Sequence, residues 1–305
     1  MEFELLSHLW LHEPDAEAIA RAVAELGLPA ADPSSFGFAQ DATALRASPT
    51  ELASAYADVF LLNVYPYGTA FTDPSGELNG PEAQQVAALY EAHGYQPPEL
   101  NSVGAPDHLG LCLGFLAAGQ GQDGILPYIL EWAPVCCLAV EREPAAHPFY
   151  RALAAHTCQM LLTKYASRNA QYAIANYQLP ITNYSPDDEL TLRDLVRFFL
   201  APARCGAFLS RSRLGQMAKA LGLRLPFGSR FEVAEMLFAS AGEAEQIELL
   251  LTVLETEVSA WAATYQSWAE QWPFASIWLA RTTDAARTLA GMRQMAATSS
   301  FTTPA

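Results

Sequence analysis

Pro106-Asp107-His108 brings a carboxylate and an imidazole together directly after a residue whose φ is fixed in the helical range. Read locally, the triplet predicts a helix start, with Asp107 in the first turn accepting from free N–H groups and complementing the helix dipole. Read chemically, a carboxylate beside an imidazole also suits a helical metalloenzyme that would recruit His93 and His156. His8 and His12, four residues apart with Glu13 adjacent, have the minimal geometry of a metal pair on one helix face, but such a spacing arises readily by chance. Other catalytic signatures are missing: there is no P-loop, no G-x-G-x-x-G after a strand, no G-x-S-x-G elbow and no H-E-x-x-H. Cys112, Cys136, Cys137, Cys158 and Cys205 form no C-x-x-C pair, and their odd number suits reduced, buried thiols. No metal site and no catalytic set are therefore assigned.

The elements that must position Asp107 and His108 are helices. Period-two alternation is nearly absent, and Ala, Leu, Glu and Gln dominate the periodic segments, which predicts an all-α fold. Helices are expected near 2–13, 15–27, 49–62, 82–93, 106–118, 123–141 and 147–176, and then near 188–201, 205–222, 228–241, 243–272 and 274–297. Pro14, Pro49, Pro81, Pro106 and Pro148 stand where helices start. Asn63 to Gly80, with Pro66, Gly68, Pro74, Gly76 and Gly80, is a long loop of the kind that carries function. Leu179 to Pro186 ends one regime and begins another, giving two domains, 1–185 and 186–305. In the second, Leu250, Leu254, Val258, Trp261, Tyr265 and Trp268 recur as one apolar stripe, the pattern of a core. The tail from Ser299 is expected to fray.

Charge separates the same two domains. The chain carries 33 acidic and 17 basic side chains. Residues 1–185 hold 20 of the acids against 6 bases, and residues 186–305 hold 13 against 11. No Lys or Arg occurs between Arg46 and Arg142, where eleven carboxylates fall. A net charge of −16 argues against nucleic acid and against an anionic bilayer, and for a cationic partner. In contrast, Arg193, Arg197, Arg204, Arg211, Arg213, Lys219, Arg224 and Arg230 face only Asp194 in their stretch. Arg211, Arg213 and Arg224 are candidates to bind an anionic group or to dock onto the acidic domain. The acidic start, Met1-Glu2-Phe3-Glu4, is unlike a signal peptide, so the cytoplasm is expected. The least polar stretch, Leu109 to Leu130, is broken by glycines and Pro127 and reads as two soluble helices with a turn, so no stable membrane insertion is expected.

Six features then occur in order: Glu51, Tyr56 and Phe60; Val64-Tyr65-Pro66-Tyr67-Gly68; Tyr90-Glu91-Ala92-His93-Gly94; Pro106-Asp107-His108-Leu109; Trp132; and Pro148-Phe149-Tyr150-Arg151-Ala152-Leu153. Over residues 45 to 170 this order resembles the TorD/DmsD/NarJ chaperones, whose pattern runs from a proline-aromatic loop through P-D-H-x-x-x-E-L to a Trp helix and P-F-Y-x-x-L. The resemblance implies a TorD-like helical bundle, here followed by a second all-helical domain. It also implies a non-enzymatic cytoplasmic chaperone that binds the apo catalytic subunit of a molybdopterin-dependent reductase, or its twin-arginine leader, during cofactor insertion.

In that role Asp107 and His108 would sit at a groove mouth, Asp107 pairing with a leader Arg. Tyr65, Pro66, Tyr67, Phe71, Tyr90 and Leu109 would supply apolar and amphipathic contacts. The client carries the molybdopterin and the chaperone no cofactor of its own. Guanine nucleotide binding, reported for some relatives, has no phosphate-binding motif behind it here. Cys112 stands where the family has the Glu of E-L, and Tyr128 where a His often precedes the Trp. Residues 186–305 lie beyond the resemblance, and a cap that contacts the client or the delivery machinery is the expectation for them. A homodimer is left open, and the alternatives are an acidic helical adaptor for another basic protein and the His/Asp metalloenzyme.

Overall fold

The computed structural model describes residues 2–29, 48–76, 78–119, 122–163 and 191–299. Among them there are helices and turns but no strand. The chain divides into two compact units, Met1–Phe71 with Glu77–Ala173, and Thr72–Gly76 with Ile174–Ala305. The predicted break at Leu179 to Pro186, the end of the helix expected over 147–176 and the tail beyond Ser299 lie outside the described residues.

The first unit holds α1 (Glu2–Leu11), α2 (Ala16–Leu26), α3 (Pro49–Tyr56), α4 (Thr69–Thr72), α5 (Pro81–Ala92), α6 (Leu100–Val103), α7 (Leu109–Ala117), α8 (Gln122–Arg142) and α9 (Pro148–Leu161). Starts follow the expected chemistry. Asp15 accepts from the Ala18 N–H, and Ser48 and Glu51 form a capping box ahead of Pro49. The helix expected over 49–62 changes winding at Tyr56 and ends in a π-helical turn, Ala57–Leu61, which sets Tyr56, Phe60 and Tyr150 edge to face around Trp10.

α1 packs on α7, and α8 on α9. The first pairing is close because α7 has no side chain where α1 crosses it. A Cβ at Gly110 would stand 3.0 Å from the Ser7 carbonyl oxygen and 2.5 Å from the Leu11 side chain, and one at Gly114 would stand 3.0 Å from the Ser7 hydroxyl. The Ser7 hydroxyl uses that proximity to donate to the Gly110 carbonyl at 2.7 Å. Gly124–Arg142 within α8 is long and apolar enough to cross a membrane, yet 72% of that window is buried in the protein, where Ile129, Leu130, Trp132, Val135 and Cys136 supply core.

The second unit is α10 (Leu192–Leu200), α11 (Pro202–Cys205), α12 (Arg211–Ala220), α13 (Arg230–Glu243), α14 (Ile247–Trp268) and α15 (Ala275–Ser299). The expected stripe on α14 is core: Leu250, Leu254, Val258, Trp261 and Tyr265 are buried and Trp268 is half-buried. Tyr265 packs against Trp272 and Trp278 and donates to the Gly206 carbonyl at 2.7 Å. Gly206 has φ +71°, and a Cβ there would meet the Thr282 N–H and the Trp278 carbonyl, so the turn between α11 and α12 requires glycine.

Candidate functional site

The Tyr65-Pro66-Tyr67-Gly68 loop is fastened directly onto the Pro106-Asp107-His108 turn. Tyr67 and His108 form an isolated antiparallel bridge, in which the Gly68 N–H donates to the Asp107 carbonyl at 3.0 Å and the Leu109 N–H to the Pro66 carbonyl at 2.8 Å. The Asp107 carboxylate completes the clasp by accepting from the Thr69 N–H at 2.7 Å and the Thr69 hydroxyl at 2.8 Å, which holds the start of α4. Burial raises the Asp107 pKa above the ordinary carboxylate value, opposed by the two Thr69 bonds.

This corrects the expected helix start. Asp107 does not cap α7; His108 does, its Nδ1 accepting from the Gly110 N–H at 3.1 Å, and α7 begins at Leu109. An accepting Nδ1 leaves the proton of the neutral ring on Nε2. Burial lowers the His108 pKa to about 3, with a smaller push from His12, so the ring is neutral at ordinary pH. The ring stands edge-on to Tyr67 at 4.9 Å.

The rest of the predicted set braces the clasp from inside. The Tyr90 hydroxyl donates to the Pro106 carbonyl at 3.0 Å and contacts Cys112 Sγ at 3.6 Å. Cys112, at the position where a Glu was expected, is thus a buried partner of Tyr90, and burial raises the thiol's pKa far above its ordinary value. The Tyr67 hydroxyl donates to the Val103 carbonyl at 2.8 Å, and Phe71 stacks on Trp132 at 6.0 Å. A Cβ at Gly68 would stand 2.0 Å from the Tyr128 hydroxyl and 2.9 Å from Trp132 Nε1, so only glycine admits the loop there. Asp107 Oδ1, the Tyr128 hydroxyl and Trp132 Nε1 are buried without a hydrogen-bond partner among the described residues.

The clasp is therefore interior. Asp107, Phe71 and Leu109 are fully buried, and Pro66, Tyr90 and His108 are buried too; of the eight expected contact residues only Tyr65 and Tyr67 reach the surface, each in part. Asp107, expected to meet a client arginine at a groove mouth, is buried, with its Oδ2 bonded to Thr69 inside the unit.

What the clasp positions is α7, and α7 with α1 walls a groove of about 520 Å³. Its rim carries Glu4, His8, His12 and Glu99, and its apolar wall includes Leu11, Tyr95, Pro98 and Leu111. His8 and His12 lie ring to ring at 4.9 Å, and His12 Nε2 is 3.5 Å from Glu99 Oε1. Partial burial and the neighbouring His12 push the His8 pKa below its ordinary value. Glu4, His8 and His12 fall four apart on one helix face, a signal readable in the sequence; Glu99 arrives from a loop no spacing rule connects to α1. Among the described residues, no three of His, Cys, Asp and Glu are placed to hold a metal ion. His93 contacts the Leu89 carbonyl and His156 pairs with Glu2, so the metalloenzyme set does not assemble.

In the second unit, Arg213 pairs with buried Glu257, its Nε 2.9 Å from Oε2, while Arg211 lies over the Phe227 ring at 4.6 Å and Arg224 is exposed. Arg213 is a structural ion pair, and the other two stay at the surface.

Residues 13–125 match the family described as nitrate reductase delta subunit, a stretch that contains the whole clasp. No curated protein and no solved structure matches the chain.

Proposed function

We propose, taking that match as premise, that the chain is a cytoplasmic maturation chaperone for a molybdopterin-dependent reductase, holding its apo catalytic subunit while the cofactor is inserted. The nitrate reductase delta subunit family comprises chaperones of molybdoenzyme maturation rather than catalysts, and residues 13–125 resemble it. The observation that carries the reading is that the matched stretch includes the loop at Tyr65–Gly68 and the turn at Pro106–His108, and that these two motifs are clasped into one interlocked unit.

Binding is assigned to the groove beside the clasp. A leader that carries paired arginines ahead of an apolar stretch matches carboxylates at one rim and apolar walls along the rest, the chemistry of Glu4 and Glu99 beside Leu11, Tyr95 and Pro98. His108 acts through its cap on α7, and Asp107 through its hold on Thr69 at the start of α4.

The test is purification of tagged protein from the native cells, with bound polypeptides identified by mass spectrometry. A cofactor-free molybdoenzyme subunit is expected with the native chain and is lost with Glu4→Lys plus Glu99→Lys, both rim residues. Retention by that variant would move the contact elsewhere on the unit, and no molybdoenzyme subunit in either sample would refute the chaperone reading.

A further inference from the structure

We infer that the start of α13 is a docking surface for a carboxylate-rich, apolar-containing segment of a partner protein. Phe227 is 87% exposed, the most exposed large apolar side chain among those described. A single exposed apolar side chain is ordinary by itself, but aromatic residues and arginine are enriched together at interfaces, and here they stand together. The Phe227 ring is also held in place: the Arg211 guanidinium from α12 lies over it at 4.6 Å, and four residues on, in the first turn of α13, Arg193 from α10 lies over Phe231 at 5.7 Å. Two arginine-on-phenylalanine stacks from two different helices thus bracket one helix start, since both α10 and α12 pack on α13. A guanidinium flat on a ring keeps its N–H edge free for carboxylates, so the arrangement presents apolar area and oriented donors together.

The charge around it is one-sided. From Arg211 to Arg230 there are five cations and no carboxylate, in a chain of net charge −16. The two acids nearest in sequence, Asp194 and Glu232, accept backbone N–H bonds in capping boxes with Thr191 and Ser229 and keep their charge, so the cations outnumber them here. Arg213 is neutralised by Glu257 and Arg230 donates to the Leu200 carbonyl, while Arg193, Arg211 and Arg224 are among the cations that remain to meet a partner. An acidic segment bearing an aliphatic or aromatic side chain complements both features, whereas a polyanion without apolar groups leaves Phe227 unused.

Fluorescence anisotropy on the full chain tests this with a short labelled peptide of glutamates and leucines. Its lysine-and-leucine counterpart and an oligonucleotide serve as controls. The acidic peptide is expected to bind saturably and the controls not to. Phe227→Ser and the pair Arg211→Glu, Arg224→Glu should each weaken binding at least about tenfold, a hot-spot-sized effect. Arg287→Glu, an exposed arginine on α15, should leave it unchanged. Thermal melts confirm folding, which substitution at so exposed a ring does not threaten. No binding, binding insensitive to Phe227→Ser, or equal binding of the oligonucleotide would each overturn the inference.

Discussion

Asp107 shows how a residue type suited to recognition is used for construction. Its carboxylate is fully buried and satisfies the N–H and hydroxyl of Thr69, so truncation leaves a buried donor without a partner. Asp107→Ala should cost about 1–3 kcal/mol in denaturant unfolding. Asp107→Asn keeps an acceptor for Thr69 while removing a charge. Because burial raises the folded pKa above 3.8, the native chain loses this group's contribution as pH rises through the folded value. The Asn variant does not, so its stability relative to native should improve from acid to neutral pH. His108 has the opposite sign. Its folded pKa is lowered from 6.5 to about 3, so its contribution is complete above 6.5 and is lost as pH falls through that window. His108→Asn retains a good N-cap for α7 and does not titrate. The variant should be less acid-labile between those limits, by up to about 1.4 kcal/mol per pH unit; an unchanged pH dependence would contradict the buried, neutral ring.

Helix propensity alone says that replacing a glycine inside a helix by alanine stabilises it by up to about 1 kcal/mol. At Gly110 the neighbouring element reverses the sign, because the new Cβ meets the Ser7 carbonyl and Leu11 of α1. Gly110→Ala should therefore destabilise by about 1–3 kcal/mol, the range for overpacking, and widen the groove those two helices wall; Gly215→Ala on α12, where a Cβ meets nothing, is the control. The same contrast explains what the sequence made legible. The long helices were readable from periodicity, prolines and caps, since those signals are local. The one-turn helices at Thr69–Thr72 and Leu100–Val103 were not, being too short to show a period, and the π-helical turn after Tyr56 arises from packing. Asp107, His108 and Tyr67 were legible as a cluster of interest. That Asp107 faces Thr69 rather than solvent is a contact across 38 residues, which no spacing rule encodes.

At the scale of the molecule the charge asymmetry gives the two halves of the sequence different electrostatic fields. Residues 1–185 carry 20 carboxylates and 6 cations, and two of those carboxylates, Glu4 and Glu99, line the groove. Under the proposed reading a cationic client would be steered by the whole field and recognised by the groove's carboxylates and apolar wall, two contributions that respond differently to salt. Long-range attraction is screened over about 10 Å at 0.1 M ionic strength, while contacts with Leu11, Tyr95 and Pro98 are not. A labelled peptide with paired arginines followed by leucines should therefore associate more slowly as salt rises, with a smaller change in its dissociation rate. Glu4→Lys with Glu99→Lys should raise the dissociation rate, and substitutions at other carboxylates of the unit, such as Glu17 or Glu91, should act mainly on association. Stopped-flow measurement at several salt concentrations separates the two. A dissociation rate unchanged by the rim substitutions would remove the groove as the recognition site, and an association rate indifferent to salt would remove the field as its guide.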